Sequence, residues 1–458
     1  MNNQDVDFKH PAYNKFIKEW QMIDDCVAGE REIKRKKEAY LPRPNEAEGS
    51  HDEERYNKYL FRASFINATG RTLSGLIGIA FNKPPKIELK GALSILTNDA
   101  DGEGQPLEQF ARDCLSQALR RGRAGIFTDY TGGGEQTTLT KGRTVLRLFN
   151  AKQIINWRVT KGKTTLVVLK YEEPAETDDF KIDMVTKWIE LRVVGGVAHA
   201  RHWEMTQSGV TVTGFIPLND SKGKPLNELP WAWIGASNND HTPDNPPLSD
   251  IAYTNIKHYQ LEADIAEAAH IVGCPMVAIT GLTADWADRF LKKGFVVGSR
   301  DGVTLPAGGD LKYVQPEDRN LVIKALERKE EQLAKLGAKL VERNSSARTA
   351  TQAGDEAQTD NSILSLCAGN VEHAINKALL FAQQFEGGGE GSVELNKRYD
   401  IVNLDSQAIT ALMAAVQGGK MRLIDFIRYQ QRVGLVPQND DPETIIEELE
   451  ISNQNLTV

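Results

Sequence analysis

Two long helix-forming stretches constrain this chain more than any other feature. Ser249 to Val272 and Pro316 to Arg343 each read as one helix, spanning roughly 35 Å at 1.5 Å per residue. Ser249 suits an N-cap with Asp250 in the first turn, and Gly273 and Pro275 stop the pattern. Glu317 and Asp318 favour the positive end of the second helix. Val322, Leu326, Leu333, Leu336 and Leu340 draw an apolar stripe along it at near-heptad spacing, with charges elsewhere. Helices of this length cannot bury their apolar faces alone: the stripe reads either as a local helical hairpin within one chain or as a surface shared with the first long helix and a neighbouring copy. Between them, Pro275 to Thr280, Gly294 to Val297 and Lys312 to Val314 read as strand pieces punctuated by glycines, a small β-rich knob on a helical stalk. Trp286, Phe290, Phe295 and Tyr313 are too many aromatics for so short a knob to hide, so they are expected to meet neighbours or partners.

The preceding chain changes period midway. His10 to Cys26 places Tyr13, Phe16, Ile17, Trp20 and Ile23 on one face; Tyr56 to Phe81 reads as a second helix, and Leu107 to Arg121 as a third, closed by Gly122. Ala124 to Tyr130 reads as a buried strand. Thr144 to Phe149, Thr164 to Tyr171, Trp188 to Val194 and His199 to Trp203 alternate as strands of an antiparallel sheet, with turns at Lys161-Gly162-Lys163 and Gly195-Gly196. Behind the second long helix come a polar stretch, Asn344 to Ser362, an amphipathic helix, Ile363 to Phe385, a glycine loop, Gly387 to Gly391, and two short helices with an acidic tail, Asp440 to Glu450. The fold class is α+β, and 458 residues suggest about three domains.

Composition narrows the function. A net charge of -8 excludes a chain that coats nucleic acid through bulk charge. No run is apolar enough to span a membrane, and the polar N-terminus is unlike a signal peptide. Cys26, Cys114, Cys274 and Cys367 are far apart and read as isolated thiols in a reducing compartment. Gly162-Lys163-Thr164 lacks both the upstream glycine and the following helix of a phosphate loop. His199 and His202 point to opposite faces of a strand, so zinc is not expected. His258 and His270 read as stalk surface, and Gly132 to Glu135 as a loop with no helix behind it. No catalytic constellation emerges, and neither a cofactor nor enzymatic activity is expected.

The order of parts resembles the portal (head-to-tail connector) proteins of tailed bacteriophages, in particular a phage and prophage group long catalogued without assigned function. Local matches are Trp20 with Tyr40-Leu41-Pro42, Tyr56 to Pro85, Gly122 to Asp129, Ile154 to Trp157, Gly302 to Asp310, Gly418-Gly419-Lys420 and Arg432 to Pro437. The resemblance implies a ring, usually of twelve subunits, through which double-stranded DNA passes during packaging and ejection. It implies a wing over 1–247, stem helices over 248–273 and 316–343, a clip over 274–315, a tunnel loop starting at 344 and extending with the start of the wing helix to 362, a wing helix and return strand over 363–404, and a crown over 405–458. DNA-facing candidates are then Lys324, Arg328, Lys335 and Lys339 on the second stem helix, and Arg343, Asn344, Ser345, Ser346 and Arg348 at the loop. The bland alternative pairs the lysines with Glu327, Glu331 and Glu342 on a solvated face. The clip surface for terminase and the head-tail adaptor would hold Trp286, Arg289, Phe290, Lys292, Lys293 and Arg300. Capsid and scaffolding proteins complete the implied partners, and the implied location is the virion after assembly in host cytoplasm. The alternatives are another phage head protein (minor capsid or head-morphogenesis) and, more remotely, a metal-dependent phosphodiester enzyme.

Overall fold

The computed structural model describes residues 6–44, 53–131, 142–175, 182–206, 209–273, 276–281, 283–285, 288, 305, 307–314, 320–340, 362–397, 399, 413–414, 416, 418, 422–433 and 441–446. The chain falls into two compact units, Met1–Lys397 and Arg398–Val458. Helix and sheet are both extensive, so the class is α+β.

In the first unit, α1 (Pro11–Ala28) starts at His10, whose Nδ1 accepts from Ala12 N at 3.1 Å, and has Pro11 at its first position. Tyr13, Phe16, Trp20 and Ile23 return to one face every three or four residues, and all are buried. The short α2 (Glu30–Arg35) and a 3-10 turn at Lys37–Ala39 follow. The expected single helix over Tyr56 to Phe81 is instead two, α3 (Glu53–Arg62) and α4 (Ala68–Ala80). Asn67 makes the break: its Oδ1 caps α4 by accepting from Gly70 N at 2.8 Å, while its Nδ2 donates to Val27 O at 3.0 Å. A periodic pattern cannot register that competition, because the second acceptor belongs to another helix.

After β1 (Lys86–Leu89) and a 3-10 segment at Gly91–Thr97 comes α5 (Leu107–Arg121). Gly122 closes it at φ +64°, and a Cβ there would lie 2.4 Å from the carbonyl oxygen of Asp244. Then come β2 (Arg123–Thr131), β3 (Arg143–Asn150), β4 (Ile154–Thr160), β5 (Lys163–Pro174), β6 (Met184–Val194), β7 (Val197–Thr206), β8 (Gly209–Val212), β9 (Ile216–Pro217) and β10 (Trp231–Gly235). All pairings are antiparallel: β10-β2-β3 form one sheet, and β4-β5-β6-β7-β8 another, with β9 beside β7. Leu166 to Leu169 and Trp188 to Leu191 are buried without alternation, so the larger sheet is covered on both faces at its centre. Six of the seven tryptophans (Trp20, Trp157, Trp188, Trp203, Trp231 and Trp233) lie in the cluster that joins α1 to these sheets.

The long helix α6 (Ser249–Gly273) leads to β11 (Met276–Thr280), which pairs with β12 (Asp310–Val314); α7 (Asn320–Lys339) follows. Ser249 is the first helical residue rather than a cap, and its hydroxyl donates to Glu19. α8 (Ile363–Glu386) runs through the core against β2, β10 and α5, with Ser362 as N-cap and Gly387 at its left-handed end. β13 (Gly391–Glu394) then pairs with β1. In the second unit the principal described element is α9 (Leu423–Val433), with Phe426 and Ile427 buried and Arg422 paired to Asp425 at 2.7 Å.

Asp24 ties this framework together. Its carboxylate meets Arg120 at 2.8 Å, Arg121 at 2.6 Å and Lys152 at 2.9 Å. Burial pushes its pKa up, but Arg121, Arg120 and Lys152 outweigh that and hold it below the ordinary carboxylate value. Asp24→Asn strands the buried Arg121 and is expected to cost about 3 kcal/mol at neutral pH by urea denaturation. A depressed carboxylate contributes stability above its unfolded pKa of about 3.9 and loses it as pH falls through the folded value. The gap between wild type and variant should therefore narrow below about pH 4.

Candidate functional site

The two long helices α6 and α7 pack along each other, with the β11–β12 pair between them in the chain. The first half of α6 is rooted in the body: Ile251, Ala252, Asn255, Ile256, His258, Tyr259 and Ala263 are buried. Asn255 explains the anchorage. Its Oδ1 accepts from Thr69 N at 3.1 Å and Thr69 Oγ1 at 3.0 Å, while its Nδ2 donates to Ile66 O at 2.9 Å. A fully buried amide is retained only when both ends are satisfied in this way. Phe65 meets Tyr259 edge-on at 5.7 Å, and Gln260 Nε2 donates to Tyr40 O at 2.8 Å. Further along, α3 braces the helix: Tyr59 donates to Asp264 at 2.8 Å, and Arg62 pairs with Glu267. Beyond Glu267, Ala268 to His270 are exposed.

His258 corrects one expectation. It is 1% exposed, not stalk surface, because it sits in the rooted half of α6 where α7 covers it, 3.5 Å from Glu330. His270 is exposed, as expected of a surface residue. With Asn255 held at Thr69 and Gly337 lying against Thr72, the contact between His258 and Glu330 makes the two helices antiparallel.

On α7, Leu326, Leu333 and Leu336 are half-buried, and Leu340, the residue after its end, is buried, so the apolar stripe is covered most fully where it meets the body. There Gly337 lies against Thr72 of α4, and Leu364 N donates to Leu340 O at 3.1 Å, joining the end of α7 to the start of α8. Lys324, Arg328, Lys335 and Lys339 are all exposed. At 100° per residue they fall within about 60° of one another, some 135° round the helix from the leucines. The structure therefore gathers these four into one cationic stripe that faces solvent. Of the four, Lys335 alone has a carboxylate partner among the described residues, Glu331 at 3.7 Å with both side chains at least 70% exposed. Such a pair contributes little to stability.

The other expected site residues lie outside the described residues: Arg343, Asn344, Ser345, Ser346 and Arg348 at the loop, and Trp286, Arg289, Phe290, Lys292, Lys293 and Arg300 of the knob. So do Gly294 to Val297, Gly132 to Glu135, Glu342 and Cys274. Cys26, Cys114 and Cys367 are free and buried. Burial pushes Cys26 and Cys367 to about 12 and Cys114 well above its ordinary value, which removes their nucleophilicity. Among the described residues, no group of three or more His, Cys, Asp or Glu is placed to hold a metal, and no helix is long and apolar enough to cross a membrane. The sequence reading missed Asn255 and Asp24. Both are polar residues on apolar helix faces, a pattern that flags a buried partner without naming it.

A family model described as a domain of unknown function (DUF4055) matches residues 247–386, which run from just before α6 to the last residue of α8. No curated protein matches the chain. Solved chains from gene transfer agent particles are among those similar to it. A chain in the neck of an empty gene transfer agent (GTA) particle, computed with C6 symmetry, is 14% identical, with 87% of this chain and 96% of that one covered and a TM-score of 0.39. One from the virion of a native gene transfer agent particle is 16% identical over 84% and 94%, at 0.35. One from the neck of a native particle, computed with C12 symmetry, is 14% identical over 76% and 85%, at 0.36.

Two kinds of variant separate the faces of α7. Leu340→Ala is expected to cost about 2–5 kcal/mol in urea denaturation. Glutamine at Lys324, Arg328, Lys335 or Lys339 should each stay within about 0.5 kcal/mol of wild type, as solvated positions do.

Proposed function

We propose that this chain is a structural protein of a phage-type head or neck, and within that class a portal: copies of it close into a ring, through α6 and α7 together, around a channel for double-stranded DNA. The observation that carries the reading is the arm itself: two long antiparallel helices rooted at one end in an α+β body, separated in the chain by a strand pair, with a cationic stripe turned away from the partner helix.

In this reading α6 and α7 are the stem, 274–315 the clip that docks terminase and later the adaptor, 344–351 the tunnel loop, and 405–458 the crown. The half-buried leucines of α7, and Ile323 at 43% exposed, leave apolar surface for the neighbouring copy. The charge balance suits passage rather than capture. Twelve copies at -8 each carry about -96, so the assembly as a whole repels the duplex. Four cations per copy on one face still meet phosphates without reading bases. A lining that was basic throughout would release many counterions and hold the DNA fast.

Electron microscopy of the purified protein is expected to show closed rings with a central hole of roughly 20–40 Å, wide enough for the duplex. A monodisperse monomer at high concentration overturns the reading. In assembled rings, replacing Lys324, Arg328, Lys335 and Lys339 with glutamine should flatten the salt dependence of DNA binding by about 0.9 in log-log slope for each phosphate that is no longer neutralised. Deleting 345–351 should leave rings intact and impair DNA packaging or retention; rings that fail to form would assign that segment to assembly instead.

A further inference from the structure

One buried ionisable side chain lies between the two long helices with nothing to satisfy it. His258 is 1% exposed, and neither of its ring nitrogens has a hydrogen-bond partner among the described residues. Asn255, three residues earlier on α6, is satisfied at both ends of its amide. A buried polar group left unpaired destabilises the packing around it. Among the described residues, the one ionisable group within ion-pair distance of the ring is Glu330 of α7, whose Oε1 stands 3.5 Å from Nε2. Glu330 is 56% exposed, so it reaches the ring from the rim of the contact and is not itself a buried charge. At that separation a protonated imidazole is attracted to the carboxylate and a neutral one is not.

The elements packed most closely on α6 are α7, α1, α3 and α4, and their other charges are paired elsewhere or exposed. On α7, Glu327, Arg328 and Glu331 are exposed, and Lys329 donates to Gln332 at 2.9 Å. On α1, Asp24 is held by Arg120, Arg121 and Lys152, and Asp25 accepts from Tyr40. Arg62 and Tyr59 of α3 are taken by Glu267 and Asp264, and Arg71 of α4 is exposed. On α6 itself, Lys257 donates to Gln260 at 2.9 Å, and Glu262 follows His258 by one turn, a second carboxylate that favours a proton on the ring.

We propose that His258 and Glu330 form a proton-dependent tie between α6 and α7: the protonated ring pairs with the carboxylate and holds α7 against the rooted helix, and the neutral ring releases it. A carboxylate titrates well below the histidine range, so the ring alone switches the contact. The tie is present on the acid side of that range and is lost as pH rises through it. α7 is the helix that responds, because its leucines are half-buried and Ile323 is 43% exposed, whereas α6 is fixed to the body by Asn255 and by α3. The tie lies within one chain, so it stands or falls independently of the portal reading.

The test is amide hydrogen exchange of the full chain at about pH 8 and about pH 5.5, either side of the ordinary histidine range, read as protection after the intrinsic pH dependence of exchange is removed. Protection across α7 should rise on the acid side by at least about threefold, the size of one partly exposed ion pair, while α5 serves as the internal reference. Glu330→Gln, at an exposed position that leaves the fold intact, should abolish the rise. Glu327→Gln, one turn away and solvated, should keep it. His258→Phe should give α7 a protection that no longer depends on pH. Equal or lower protection of α7 in the wild type at acid pH, a full rise retained by Glu330→Gln, or an equal rise in α5 each overturn the proposal.

Discussion

The arm depends on the buried amide of Asn255. Its hydrogen bonds to Thr69 and Ile66 hold the first half of α6 to the break between α3 and α4, and that break exists because Asn67 reaches across to the end of α1. A buried side-chain amide left half-satisfied is costly, so the two asparagines fix both where α4 begins and the direction in which α6 leaves the body. Tyr59 and Arg62 of α3 then steer the helix further by holding Asp264 and Glu267. From there α6 packs along α7, and the second helix returns to the body at Leu340.

Charge is handled in opposite ways in the body and on the arm. In the body, carboxylates go inside only when surrounded. Asp24 is met by three cations, and Glu190, 3% exposed, accepts from Arg201 at 2.9 and 2.6 Å and from Trp203 Nε1 at 3.1 Å. Arg201 in turn lies between Trp203 and Phe215, at 4.5 and 4.1 Å from their ring centres. These groups lock elements together because breaking one leaves a buried charge without its partner. On α7 the cations remain in water, where they contribute little to the fold. The same residue types thus hold the fold together in one place and remain solvated in the other.

The backbone bond from Leu364 to Leu340 joins α7 to α8, so the arm and the core helix behind it form one continuous unit. The family model covers this unit, from just before α6 to the end of α8, while the sheets before it lie outside the match.

Much of the architecture follows from local pattern. The period-two strands with their glycine turns, the helix closed by Gly122, the two long helices, the strand pair between them and the amphipathic Ile363 helix are all readable from spacing, because periodicity and turn chemistry are properties of neighbouring residues. The four cations on α7 could be named from the sequence, and helical geometry alone places them on one face. Tertiary structure decided the rest. It split Tyr56 to Phe81 at Asn67, moved Ser249 from cap to first turn, and put His258 inside. Each of those outcomes depends on a partner distant in the chain (Val27, Glu19, Glu330), and no local pattern encodes which distant group a side chain will meet.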